Sequence, residues 1–180
     1  MQEISLNILD VAENSVKAGA SLIEITVNED IASNLLTVII KDNGCGMSSE
    51  ALKSVTDPFY TTRTTRRVGL GIPFFKMAAE LTGGSFNIRS KKDEGTEVTA
   101  EFVYDSIDRM PLGDIAGTVT SLVQCNDSTD FVYSHIYNGE KFIMDTREFR
   151  EVLGDVSLSN PQVALFIKDY IVENYNNIRI

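Results

Sequence analysis

The chain has 180 residues, enough for one well-buried domain or for a domain of about 105 residues with an appendage, and its 43% of hydrophobic residues is that of an ordinary globular protein. The formal net charge of −10 argues against nucleic acid as a partner, since phosphate contact needs clustered Lys and Arg, and tight basic clustering is confined to Arg63, Arg66 and Arg67. No apolar run nears the roughly 18 residues of a membrane span, Met1-Gln2-Glu3 lacks the basic start of a signal peptide, and Cys45 and Cys125 follow no paired spacing, so the expectation is a soluble, cytoplasmic protein with reduced thiols and no membrane partner.

Residues 4–17 have helical periodicity, with Ile4, Ile8, Leu9, Ala12 and Val16 on one broad side and Asp10, Glu13, Asn14 and Lys17 on the other. Ala18-Gly19-Ala20 ends that helix with a glycine able to take a positive φ. Segments 21–28 and 35–41 alternate in polarity and predict an antiparallel pair. A short helix over 49–55 follows, capped by Ser48 or Ser49. Residues 56–68 carry no period of either kind, are rich in Thr and Arg, and predict a surface loop. A second long helix starts at Gly71 and runs to about residue 81, with Pro73 in the first turn, where its missing N–H does no harm; Thr82-Gly83-Gly84 stops it. Segments 86–90 and 96–103 predict another strand pair, joined by the charged turn Lys91-Lys92-Asp93-Glu94-Gly95.

After Tyr104 the character changes. Residues 105–114, with Pro111 and Gly113, read as a connector, and 115–124 as a helix. Segments 131–137 and 141–145 flank Asn138-Gly139, a strong two-residue hairpin signal, and helices over 146–153 and 161–175 finish the chain. There is no internal repeat and no low-complexity tract. The division expected is therefore 1–104 as the main domain and 105–180 as an extension of helix, hairpin and two helices packed on it.

Four strings carry chemistry. In the first helix Asp10, Asn14 and Lys17 are spaced i, i+4, i+7 and share a face. The Asn14 carbonyl oxygen suits Mg²⁺, which takes oxygen ligands and completes its shell with water and phosphates. Asp10, one turn earlier, could orient or deprotonate a water, or hold a metal-bound one; the same face also fits the solvated side of an amphipathic helix. Asp42 ends an apolar strand and is followed by Asn43-Gly44-Cys45-Gly46-Met47. Its carboxylate can accept from the amino group of adenine, with glycines letting backbone approach the planar ring, although an ordinary Asp-Asn-Gly turn has the same composition. Gly69-Leu70-Gly71-Ile72 opens a helix, whose N-terminal N–H groups and dipole favour phosphate. Upstream, Thr61, Thr62, Arg63, Thr64, Thr65, Arg66 and Arg67 supply hydroxyls and guanidinium forks for phosphate oxygens. No Gly-Lys-Ser or Gly-Lys-Thr follows these glycines, so a Walker-type loop is excluded. Finally, Gly95-Thr96-Glu97-Val98-Thr99 opens a strand whose threonines could reach phosphate or only solvent.

In this order the strings resemble the GHKL (Bergerat-fold) ATP-binding superfamily of gyrase, a chaperone class, histidine kinases and mismatch-repair ATPases. Glu13-Asn14-Ser15 through Ala20 resembles its N-box, Asp42 to Met47 its first glycine box, Gly69 to Ile72 its second, and Gly95 to Thr99 its last. Asp57-Pro58-Phe59-Tyr60-Thr61-Thr62-Arg63 resembles the F-box of histidine-kinase catalytic domains, which makes those the nearest branch. The resemblance covers roughly residues 4–103. It implies an α/β two-layer sandwich, a mixed and mainly antiparallel sheet with helices on one face, with an α+β extension behind it. It also implies ATP and Mg²⁺ as cofactors, with Asn14 as the metal ligand, Asp42 as the adenine reader, Gly44, Gly46, Gly69 and Gly71 shaping the pocket, and residues 61–67 as a short lid. Lys17, Met47, Phe59, Leu70, Ile72 and Thr96 complete the expected cofactor-binding set.

Departures from the family pattern bear on function. Asp10 stands where the gyrase and mismatch-repair branch places a general-base Glu, and a carboxylate drawn back by about 1 Å activates water less well. The N-box begins almost at Met1, without the strand and helix that precede it in histidine kinases, so no upstream hairpin with a phosphoacceptor histidine is expected. Residues 105–180 match no part of the superfamily. His135, the single histidine, lies in a predicted strand and is expected to be structural or on the surface. The function expected is transfer of the γ-phosphoryl group of Mg²⁺-ATP to a protein partner in signalling or regulation, with a homodimer possible and nucleic acid not involved. The alternatives are a slow ATPase clamp with Asp10 as its catalytic base, and a non-catalytic nucleotide sensor.

Overall fold

The computed structural model describes residues 3–56 and 71–180. Helix α1 (Ile4–Lys17) leads into strands β1 (Leu22–Asp30) and β2 (Leu35–Asp42), the short helix α2 (Ser49–Thr56), helix α3 (Gly71–Leu81) and strands β3 (Ser85–Lys91) and β4 (Gly95–Val103). Helix α4 (Ile115–Cys125), strands β5 (Asp130–Tyr137) and β6 (Glu140–Asp145), and helices α5 (Thr146–Leu153) and α6 (Pro161–Asn177) complete the chain. Each element lies where the hydrophobic period places it, with ends that differ by a residue or two. Such ends depend on caps and ladder bonds rather than on the apolar pattern.

The strands form one six-stranded sheet in the order β3-β4-β2-β1-β5-β6. β5 lies parallel to β1, and every other neighbour is antiparallel. Alternation along the strands selects one face. Ile23, Ile25 and Val27 of β1 are buried on it, as are Leu36, Val38 and Ile40 of β2, Val98, Ala100 and Phe102 of β4, Phe131 and Tyr133 of β5, and Phe142 and Met144 of β6. Helices α3, α1, α4 and α6 lie over this face in that order, each touching the next. Their buried sides and the strands share one hydrophobic core. This is the two-layer α/β sandwich with its helices on one face.

Residues 130–145 are not a separate layer. β5 is paired with β1 from Leu22↔Asp130 to Glu29↔Tyr137, and β6 then forms the sheet edge. At that end the chain closes on itself through polar groups. Glu29, 4% exposed, accepts from Arg179 Nη1 at 2.6 Å, from Tyr104 Oη at 3.1 Å, and meets His135 Nε2 at 2.9 Å. His135 is fully buried, and its Nδ1 lies 2.6 Å from the Tyr133 hydroxyl. Arg179 also sits over the Tyr137 and Tyr175 rings, at 4.3 and 4.9 Å. The histidine therefore ties β5 to β1 and has no open face for chemistry.

One expectation about α1 is corrected. Its buried stripe is Ile4, Ser5, Asn7, Ile8, Val11, Ala12 and Ser15, while Leu9 and Val16 are only half-buried. The helix is covered by the sheet and on both flanks by α3 and α4. Its inner side is therefore wider than an apolar count suggests and takes in polar residues: Ser15, which bonds Asp42, and Asn7, whose Oδ1 has no hydrogen-bond partner among the described residues.

Candidate functional site

Where β1 begins and β2 ends, the helices part from the sheet and leave a cavity of about 210 Å³. Among the described residues its walls are Val11, Ala18, Gly46, Met47, Val55, Ile72 and Val98, and its polar lining is Asn14, Ser15, Asp42 and Thr96. An apolar slot with a few convergent polar groups is the usual form of a small-molecule site.

The parity of β2 turns Asp42 inward, opposite Ile23 on β1 and Thr96 on β4. Its side chain is buried, and it accepts from Ser15 Oγ at 2.6 Å through Oδ2 and from Gly44 N at 2.9 Å through Oδ1. Both donors are neutral, and no cation pairs with Asp42 among the described residues. A carboxylate has about four acceptor positions, so this one retains capacity and faces the cavity with it.

The loop after Asp42 is anchored on three sides. Asn43 Oδ1 accepts from the N–H groups of Ser21 and Leu22, both at 2.9 Å, and its Nδ2 donates to Ser21 Oγ at 2.9 Å. Cys45 N donates to Ala18 O at 3.0 Å, and Cys45 O accepts from Asp93 N at 2.8 Å. Gly46, with φ +60°, passes so near the β3–β4 turn that a Cβ would stand 2.0 Å from Lys91 O. Gly95, with φ +110°, would place one 2.0 Å from Asp42 O. These glycines thus answer to protein backbone packed against the loop.

Asn14 lines the cavity, and its side chain makes no hydrogen bond to another described residue. Lys17 shares its helix face but is not in the lining; its Nζ lies 3.4 Å from Glu13 Oε2, on a side chain 70% exposed. Asp10 is one turn back, packed on the first residue of α3, where a Cβ on Gly71 would stand 2.8 Å from Asp10 Cβ. Burial raises the carboxyl pKa of Asp10, the charge of Glu13 raises it further, and Lys17 opposes them. Gly71 is buried at the N-terminus of α3, and Ile72 beside it lines the cavity. Gly46 and Met47 line the cavity, and Gly44 lies in the same loop outside the lining. Phe59, Thr61, Thr62, Arg63, Arg66, Arg67, Gly69 and Leu70, including the whole expected lid, lie outside the described residues.

The serines Ser15 and Ser90 were not expected. Ser15 supplies a donor to Asp42, and Ser90 Oγ takes the Met47 N–H at 2.8 Å and lies 2.8 Å from Thr96 Oγ1. A serine on the apolar stripe of α1 was a signal for the first; the second follows only from strand register.

Residues 2–106, more than half of the chain, match the family described as histidine kinase-, DNA gyrase B-, and HSP90-like ATPases. The chain belongs to this ATPase family. Sensor protein SrrB of Staphylococcus aureus is 36% identical over 101 residues, a match covering 53% of this chain and 17% of that protein. An uncharacterized sensor-like histidine kinase of Rhizobium meliloti is 30% identical over 110 residues, covering 58% of this chain and 20% of the relative. The chain thus spans about a fifth or less of these relatives' length. Among solved structures, the Aquifex aeolicus MutL ATPase domain complexed with ADP superposes with a TM-score of 0.50 at 14% identity, covering 85% of this chain and 69% of that one. That likeness extends over the fold, beyond the stretch matched by the family. This member of the ATPase family has, among its described residues, no helix long and apolar enough to cross a membrane.

Proposed function

We propose that the chain binds Mg²⁺-ATP in the cavity between α1, the Asp42–Met47 loop and the start of α3, and transfers the γ-phosphoryl group to a protein partner. The observation that carries the reading is Asp42, a buried carboxylate held by two neutral donors and turned toward a cavity with acceptor positions to spare. A buried charge without a counter-charge is costly unless its hydrogen bonds are completed, and an exocyclic amino group completes them. The apolar walls suit the faces of a base, and the buried N-terminus of α3, beside Asn14 and Asp10, suits phosphate.

The residues present also fit a magnesium ion. No group of three His, Cys, Asp or Glu among the described residues could cage a metal. Asn14 instead offers a single hard oxygen, appropriate for an ion that keeps water and nucleotide phosphates as its other ligands. When bound, the ion would neutralise charge on the phosphates. Asn14 would hold it in place, Asp42 would orient the base, and the lid arginines would complete phosphate binding. Likeness to a sensor protein and to a sensor-like histidine kinase favours a protein acceptor in signalling.

Asp10 favours a second reading. Asp10, one turn from Asn14 and outside the cavity lining, has a carboxyl of raised pKa; with Asp10 taking a proton from water the protein would be a slow ATPase. Single-turnover reactions with γ-labelled ATP separate these outcomes. Label on a co-purified protein supports the transferase. Free phosphate released without partner, and lost in Asp10→Asn, supports the ATPase and overturns transfer.

A further inference from the structure

We infer that Ser90, which lines no part of the cavity, determines which nucleobase the cavity accepts by setting the hydrogen-bond sense of Thr96. This inference rests on the nucleotide-site reading above. Ser90 on β3 stands opposite Thr96 on β4, and Thr96 stands opposite Asp42 on β2, so the three lie in one row across the inner sheet face. The Ser90 oxygen is shared by three neighbours: Met47 N at 2.8 Å, Gly95 O at 3.0 Å and Thr96 Oγ1 at 2.8 Å. A hydroxyl has one proton and two lone pairs. The Met47 amide can only donate and the Gly95 carbonyl can only accept. These two neighbours consume the proton and one lone pair of Ser90, and the lone pair that remains takes the proton of Thr96.

Thr96 therefore turns its proton away from the cavity and presents lone pairs to it. Ser15 does the same, since its proton goes to Asp42 Oδ2 at 2.6 Å. With the Asp42 carboxylate between them, the three polar groups at the sheet end of the cavity are all acceptors. Such a surface fits a base edge that donates, as the 6-amino group of adenine does, and rejects a 6-oxo base, whose oxygen would be left against acceptors. Without the Ser90 hydroxyl, Thr96 is free to rotate and donate into the cavity. A 6-oxo base then gains a partner.

The test is calorimetric titration of Mg²⁺-ATP and Mg²⁺-ITP, which differ at the 6-position, into the full chain and its variants. The wild type prefers ATP, and Ser90→Ala lowers the ratio of the two affinities by about tenfold, the size of one mispaired polar group. Ser90→Thr restores it. Thr96→Val lowers the ratio by itself, and adding Ser90→Ala to Thr96→Val changes it no further. A merely structural serine predicts something else: both affinities fall together and the ratio stands. Wild-type protein binding neither nucleotide overturns the nucleotide site itself. An ATP preference that survives Ser90→Ala, or that survives Thr96→Val, overturns only the role given to Ser90.

Discussion

Two carboxylates are buried on the same sheet face at opposite ends of the β1–β2 pair, and their surroundings differ in kind. Glu29, opposite Leu36, is closed in by Arg179, His135 and Tyr104, so its charge is met by a guanidinium and three of its roughly four acceptor positions are taken. Asp42, opposite Ile23, has two neutral donors and an opening. Burying a charge costs several kcal/mol unless pairing and hydrogen bonds repay it. At Glu29 the protein supplies the repayment itself, and the group is architecture: it fastens the last turn of the chain and β5 to β1. At Asp42 the described residues supply two neutral donors and no counter-charge, which is the ground for proposing that a ligand's donor completes the set. Burial is common to both acids; what separates them, among the described residues, is the counter-charge at Glu29 and the larger unfilled acceptor capacity at Asp42.

That contrast predicts unequal responses to mutation. The largest is at the closed end, where Glu29→Ala leaves Arg179, His135 and Tyr104 without their common acceptor. It should cost about 3–5 kcal/mol of stability in chemical denaturation, with nucleotide affinity unchanged in the protein that remains folded. At the open end, Ser15→Ala removes a donor from Asp42. A loss of about 1–2 kcal/mol is expected for such a buried bond, together with weaker nucleotide binding by calorimetry; a stability loss with unchanged binding would make Ser15 a core residue only. A smaller effect is expected for Arg179→Lys, which keeps the charge but loses the planar stacking on Tyr137 and Tyr175. About 1 kcal/mol is the scale, read from the thermal midpoint.

The smallest effects are in pH dependence, and Glu29 of β1 and Asp10 of α1 give opposite signs. Burial pushes the Glu29 pKa up, but the hydrogen bond from His135, the charge of Arg179 and the hydrogen bond from Tyr104 outweigh it and leave the pKa low. The unfolded chain then binds this proton more readily than the folded one. Its stabilisation is complete above the ordinary glutamate range and is lost as pH falls through the folded value. For Asp10, burial and the charge of Glu13 raise the pKa. Its contribution is present in acid and is lost as pH rises through that higher value. Thermal midpoints of Glu29→Gln and Asp10→Asn against wild type, followed from acid to neutral pH, should diverge in these opposite directions.

Much of this was legible without coordinates, for identifiable reasons. Continued past the predicted strand ends at 28 and 41, alternation carries Asp42 and Glu29 onto the inner face by parity, since Ile23, Ile25, Val27 and Glu29 keep one phase and Leu36, Val38, Ile40 and Asp42 another. The helix start at Gly71 followed from its glycine and the proline after it. Hydroxyls were harder. Ser15 and Ser90 interrupt apolar patterns without breaking them, and what makes them matter is a partner on another element, 27 residues away for Ser15 and 43 for Ser90. The closure of Glu29 by Arg179 spans 150 residues and leaves no local trace. Lys17 differs: helical spacing puts it on the Asn14 face, and its long, exposed side chain meets the nearby carboxylate of Glu13.

Titration of Mg²⁺-ATP into wild type, Asp42→Asn and Glu29→Gln by calorimetry tests the contrast between the two acids most directly. One ATP should bind per chain in the wild type and in folded Glu29→Gln, and Asp42→Asn should weaken binding by about 10- to 100-fold, the range for a hydrogen bond to a charged group. Affinity left intact in Asp42→Asn, or a wild type that does not bind ATP, would contradict the assignment of Asp42 as the recognition acid.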